Sequence, residues 1–169
     1  IEPTTACNLG CPECPSGLKQ FTRPTGKLNI ELHERMLQHV HKSVFYINYY
    51  FQGEPFLNPK FLSIIRQAKQ YNIYTATSTN AHFIDQKKAE EIVASGLDRL
   101  IISIDGLTQE TYESYRVNGK LDKVIDASKW LVAAKKEAIV GPIYGMMFSI
   151  AQSKAIIKAL CIPKISKTM

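Results

Sequence analysis

Cysteine is scarce in this chain: four in 169 residues, too few for a disulfide scaffold. Long apolar runs are missing too. Stretches such as Leu-Ile-Ile-Ser-Ile at 100–104 are far too short to cross a bilayer, so no membrane partner is expected. No signal peptide is visible, and we expect a cytoplasmic protein. The first residue is Ile1 and not a start methionine, so a cut or processed N-terminus is expected. Blocks of Lys and Arg are also absent. The net charge is +6 and the pI is near 9.1, yet the basic residues are spread along the chain without interleaved aromatics. A nucleic-acid partner is therefore not expected. Part of the excess gathers at the end, where Lys154, Lys158, Lys164 and Lys167 follow the last acidic residue, Glu137.

What is present is an ordinary globular composition, 45% hydrophobic and 21% charged, in a length that suits one domain with a real core. Strand and helix signals alternate. Segments 44–51, 72–80, 97–105 and 142–150 are rich in β-branched and aromatic residues and read as buried strands. Leu32, Met36, Leu37 and Val40 mark one helix face after an Asn29 cap. Asn58-Pro59 starts a second helix, with Pro at its first position and Phe61, Leu62, Ile65 and Ala68 on its apolar face. Asp85 caps a third, which stops at Gly96. A fourth carries Leu121, Val124, Ile125, Leu131 and Val132.

The strand segments begin at residues 44, 72 and 97, a pitch that fits a strand, a helix and two short loops. This predicts an α/β fold, a parallel sheet of βα units with right-handed connections. Residues 1–5 read as the end of a first strand. The expected organisation is a core over 1–150 and a basic tail over 151–169. About five strands are expected, the last at 142–150 weak, with an apolar edge that invites aggregation.

In such sheets ligands bind at the C-terminal strand ends. The polar oddities sit there: a cysteine-rich loop after the first strand, Gln-Gly-Glu-Pro at 52–55, Ser-Thr-Asn-Ala at 78–81, and Ser-Ile-Asp at 103–105 before Gly106. Four motifs at four neighbouring strand ends converge on one mouth.

The first loop puts Cys7, Cys11 and Cys14 into eight residues, with Cys161 the only other cysteine. Three readings compete. The thiols are incidental; or they hold zinc; or they hold an iron–sulfur cluster with one iron free. Structural zinc takes four ligands, so the fourth would come from Cys161, His33, His39, His41 or His82, giving a zinc-binding, non-enzymatic module on a βα scaffold. Thiolates are the usual cluster ligands, and a three-cysteine loop leaves the fourth iron able to bind a small molecule.

The C-x3-C-x2-C loop resembles the defining motif of radical S-adenosylmethionine (SAM) enzymes. Gln-Gly-Glu-Pro resembles their Gly-Gly-Glu-Pro motif, and SIDGLTQETYESYR at 103–116 resembles the fourth-strand motif of the branch with sulfatase-maturating and peptide-modifying enzymes. The resemblance runs from Ile1 to about Lys136. It implies a partial (βα)6 TIM-like barrel, incomplete in this chain, and a 4Fe–4S cluster on Cys7, Cys11 and Cys14, the catalytic and metal-binding residues. It implies that S-adenosyl-L-methionine is cleaved to a 5′-deoxyadenosyl radical that takes hydrogen from a substrate, a peptide or protein in that branch. An electron donor such as flavodoxin or ferredoxin is the implied partner.

Beside that resemblance, the cofactor-binding candidates read as follows. Gly53 allows close backbone approach. Pro55 fixes the turn so that carbonyls near Glu54 accept from an ammonium group. Asn80 and Ser103 suit ribose hydroxyls. Asp105 shapes the turn at Gly106. Arg116 offers a fork of donors to a carboxylate. The sequence departs from the family at three points: Glu13 stands before the third cysteine in place of an aromatic, Gln52 replaces a glycine, and Ala81 replaces a glycine after Asn80. Related enzymes often continue into a cysteine-rich domain with further clusters, which Cys161 alone cannot build.

Overall fold

The computed structural model describes residues 1–138 and the backbone of residues 147–150. Its sheet has four parallel strands in sequence order: β1 (Tyr46–Asn48), β2 (Tyr74–Thr79), β3 (Arg99–Ile102) and β4 (Met147–Ile150). The helices are α1 (Ile30–Val40), α2 (Phe61–Gln70), α3 (Gln86–Ala94), α4 (Gln109–Tyr115) and α5 (Leu121–Ala138). Parallel neighbours need a long crossover, and helices between the strands supply it. This is the α/β architecture that the alternating pattern predicts.

Side chains alternate across the sheet. Ile47 and Tyr49, Thr75, Thr77 and Thr79, and Leu100, Ile102 and Ile104 are all buried on one face. The core there includes Leu37 of α1, Phe61, Ile64 and Ile65 of α2, Ile92 of α3, and Val124 and Leu131 of α5. Threonine suits such strands because it is β-branched, and each hydroxyl here has a partner; Thr77 donates to the Tyr49 carbonyl at 2.9 Å. The opposite face carries Tyr46, Asn48, Tyr74, Ser78, Arg99, Ile101 and Ser103, and these stay half-buried or exposed.

Several expectations shift. Residues 1–5 form no strand; Thr4 makes one antiparallel bridge with Lys27. Pro3 has no N–H to give a ladder, and the segment is tied beside β1 by the Ile1 ammonium on the Asn48 carbonyl and by Glu54 N–H on the Ala6 carbonyl. Segment 44–51 shrinks to three strand residues and is not buried throughout: Phe45 and Phe51 are 83% and 80% exposed. Pro59 does not open α2. Residues 55–57 form a 3-10 turn first, and Asn58 spends its side chain on Lys60 N–H and on the Pro3 and Leu28 carbonyls. Asn29 and Asp85 cap their helices as expected. Leu32 is exposed, and α1 buries His33 with Leu37. That histidine is accepted in the core because Gln67 and the Tyr49 hydroxyl meet both ring nitrogens, at 2.8 and 2.9 Å. The fourth expected helix is α5, and a further short helix precedes it: Thr108 and Thr111 form a capping box that starts α4. Within α5, Ile125 and Val132 are only half-buried. Of the segment 142–150, residues 142–146 lie outside the described residues, as do the tail 151–169 and Cys161. No helix among the described residues is long and apolar enough to cross a membrane.

Candidate active site

The cysteine loop is held by backbone contacts on both sides. Gly10 N–H donates to the Val117 carbonyl, just after α4, and Cys14 N–H donates to the Cys11 carbonyl. Gly17 folds against the loop so closely that a Cβ there would lie 2.5 Å from the Cys11 nitrogen. Ser16 is buried and links the loop to the second motif: its hydroxyl donates to Gln52 Oε1 at 2.9 Å and accepts from Gly53 N–H at 3.0 Å. Gln52, where the family has glycine, thus anchors the loop, and the Cys14 thiol also points at its Oε1, at 3.5 Å. Gly53 has φ +78°, and a Cβ would overlap the Thr4 carbonyl oxygen. Only glycine fits both demands.

Cys7, Cys11 and Cys14 are free; Cys11 is buried and the other two half-buried. They line a cleft of about 190 Å³ at the C-terminal strand ends. Gly53, Glu54, Asn80, Ser103 and Arg116 line the same cleft, so eight of the ten candidate residues come together. Pro55 and Asp105 stand behind it. Pro55 opens the 3-10 turn, and the Glu54 and Pro55 carbonyls already accept from Leu57 and Asn58 N–H groups. Those two carbonyls are thus already bonded, while Gly53 and Glu54 line the cleft. Asp105 holds Arg116 Nε at 2.5 Å, and Arg116 Nη1 lies 3.7 Å from Cys11 Sγ. Asn80 turns its amide to Asn8 at 2.8 Å and toward Cys7 Sγ at 3.9 Å. Ser103 meets Ser78 across the strands at 3.5 Å. Ala81 adopts φ 62°, the left-handed conformation that explains the glycine found there in the family.

Glu54 is 2% exposed. Its oxygens accept from the Thr79 hydroxyl (2.7 Å), Asn80 N–H (2.8 Å) and Phe56 N–H (3.2 Å). Burial nevertheless dominates and pushes its carboxyl up to about 7. Burial also pushes the Cys7 thiol up, with Glu54 and the other two cysteines adding to it. The site therefore has a surplus of groups that become negative and only Arg116 as a cation among its lining residues. Ser78 and Thr79 of the Ser-Thr-Asn-Ala motif line it as well, as do Tyr50 and Phe51, which carried no sequence signal beyond their place at a strand end.

Residues 1–148 match the radical SAM superfamily. The chain belongs to this superfamily. The mycofactocin maturase MftC of Mycobacterium tuberculosis is 31% identical over 134 residues, which cover 79% of this chain and 34% of that protein. The PqqA peptide cyclase of Gluconobacter oxydans is 25% identical over 118 residues, 70% of this chain and 32% of that protein. This radical SAM chain spans about a third of the length of these relatives. SuiB of Streptococcus suis, solved with bound S-adenosylmethionine, superposes with a TM-score of 0.71 over 95% of this chain and 36% of that one, at 19% identity. That likeness shows the fold, a radical SAM TIM-barrel core built from parallel βα units.

The histidines proposed as zinc ligands are engaged elsewhere. His33 is in the core, His39 and His41 bond carbonyls of their own helix, and His82 bonds the Asn80 carbonyl and accepts from Lys120 N–H. No group of three His, Cys, Asp or Glu is gathered around the position of a single metal ion among the described residues.

Proposed function

We propose that this chain is the core of a radical SAM enzyme, with Cys7, Cys11 and Cys14 holding a 4Fe–4S cluster and the cleft beside them holding S-adenosylmethionine. The observation that carries this is the meeting of three free thiols with Glu54, Asn80, Ser103 and Arg116 in one cleft. The donor set suits the cluster. It is all sulfur, and Arg116 and Asn80 turn N–H donors toward two of the three sulfurs, which favours thiolates. When bound, the cluster would pass one electron, from a flavodoxin- or ferredoxin-type donor, to the sulfonium, giving methionine and a 5′-deoxyadenosyl radical that takes a hydrogen atom from the substrate.

The chain's own residues prepare that chemistry. The Glu54 carboxylate would accept from the cofactor ammonium in a site with little water, where such a bond is strong. Asp105 fixes the Nε edge of Arg116, so the Nη edge is held beside Cys11 for the cofactor carboxylate. Asn80 and Ser103 would take the ribose hydroxyls. A peptide substrate is supported by two relatives: the PqqA enzyme is named a peptide cyclase, and SuiB has been solved with its precursor peptide.

Anaerobic reconstitution should give about four irons per chain and a brown chromophore. Stoichiometric zinc without iron uptake would overturn the reading. Dithionite reduction with S-adenosylmethionine should release 5′-deoxyadenosine, measured by chromatography. Arg116→Ala should weaken cofactor binding by roughly tenfold or more, the worth of one charge-assisted pair, with iron unchanged. If iron is lost with it, Arg116 supports the loop instead.

A further inference from the structure

Arg99 stands in the middle of the sheet without a partner. Its guanidinium makes no hydrogen bond or ion pair among the described residues, and its Nε is buried with no acceptor. The adjacent carboxylate, Asp98, cannot serve it. Asp98 faces the other side of the strand and is taken by Lys69 Nζ at 2.8 Å and by Thr75 N–H at 2.8 Å. A buried N–H with no acceptor is unfavourable, and the rest of this half-buried guanidinium is not enclosed in the same way.

The register shows where this cation lies. Asn48, Ala76 and Arg99 sit side by side across β1, β2 and β3. Arg99, Ile101 and Ser103 share the face that is not packed against the helices, and Ser103 lines the cysteine cleft. Four residues of strand at roughly 3.3 Å each put Arg99 about 13 Å below the cleft, on the same face. We propose that Arg99 is a substrate-binding residue that takes a carboxylate at this depth. On β1, β2 and β3 this face offers no second cation: its other members there are Tyr46, Asn48, Tyr74, Ala76, Ser78, Ile101 and Ser103. One planar fork matches one carboxylate, whereas a phosphate dianion would be left half-neutralised. An extended peptide covers about 13 Å in roughly four residues. The substrate class is therefore a peptide with an acidic side chain or C-terminus about four residues from the carbon that loses hydrogen. The position of the reacting end rests on the proposed radical function; the anion site does not.

The test uses the full chain, reconstituted anaerobically, with iron counted on each sample and melting followed with N-acetylglutamate as the carboxylate probe. The wild type should melt about 3 °C higher with the probe near saturation and should ignore the neutral N-acetylglutamine. Arg99→Met should melt higher than the wild type without any probe, because a buried N–H without an acceptor is gone, and should not respond to N-acetylglutamate. Arg99→Gln carries the same comparison if the Met variant does not fold. A wild type that ignores N-acetylglutamate, a response that survives in Arg99→Met or Arg99→Gln, or a stronger response to inorganic phosphate overturns the proposal. Normal iron with no carboxylate response sinks only this inference. Absent iron with an Arg99-dependent response sinks the radical function and leaves the carboxylate site standing.

Discussion

Alanine at any one of Cys7, Cys11 and Cys14 is expected to cut bound iron from about four per chain to near zero, with the fold retained. A cluster held by three thiolates has no spare protein ligand, so the loss of one should not be made up from within the site. The fold should survive because the loop does not depend on its thiols. Gly10 is bonded to Val117, Glu54 N–H to the Ala6 carbonyl, and Ser16 to Gln52 and Gly53, all independently of sulfur. Cys11 is the most buried of the three, and its loss should cost most, on the order of 1 kcal/mol. Cys161→Ala should leave iron unchanged. Iron and protein assays with circular dichroism on each variant decide the matter. Full iron retention in any of the three loop variants would remove that cysteine from the ligand set.

Glu54 gives the second large effect, in pH. Its folded carboxyl titrates at about 7, against about 4.5 when unfolded, because burial disfavours the charge. Between those values the native state binds more protons than the unfolded chain, so this group's contribution to stability falls as pH rises from 4.5 to 7 and is flat above. The integrated change is about 3 kcal/mol. His33 acts in the opposite sense, since burial lowers its pKa and its stabilising neutral form is lost as pH falls. The difference between wild type and Glu54→Gln isolates the carboxyl: denaturant midpoints should show the falling slope only in the wild type. Glutamine need not raise stability outright, because its amide would set N–H groups against the Thr79 hydroxyl or the Asn80 or Phe56 N–H. A cofactor ammonium would favour the ionised carboxylate. S-adenosylmethionine affinity should then drop by up to about tenfold per pH unit below about 7, and much less in Glu54→Gln. Parallel pH profiles of the two proteins would remove Glu54 from this role.

Much of the site is legible in the amino-acid order because its chemistry is written in local spacing. Three thiols in eight residues, and short polar motifs at strand ends, need only the βα pitch to place them at one mouth. The illegible parts depend on contacts between distant segments. Nothing in the sequence says that Glu54 is buried; the tertiary contacts do it, with Thr79 and Asn80 holding its carboxylate inside. Ser16 carries no motif signal and Gln52 reads only as a departure from a glycine, yet they tie the cysteine loop to the end of β1. His33 reads as a candidate zinc ligand, and becomes core once Gln67 and Tyr49 meet it.

The order of residues alone sets the alternation of strand and helix, the helix starts at Asn29 and Asp85, the thiol loop and the membership of the radical SAM superfamily, since each rests on propensity, capping or spacing within a few residues. Which face of each strand is covered is a matter of tertiary packing. A period of two places Arg99, Ile101 and Ser103 together but does not say whether helices or open space lie over them. Packing of the helices against the opposite face leaves Arg99 with no partner among the described residues, because its sequence neighbour Asp98 points the other way and is held by Lys69.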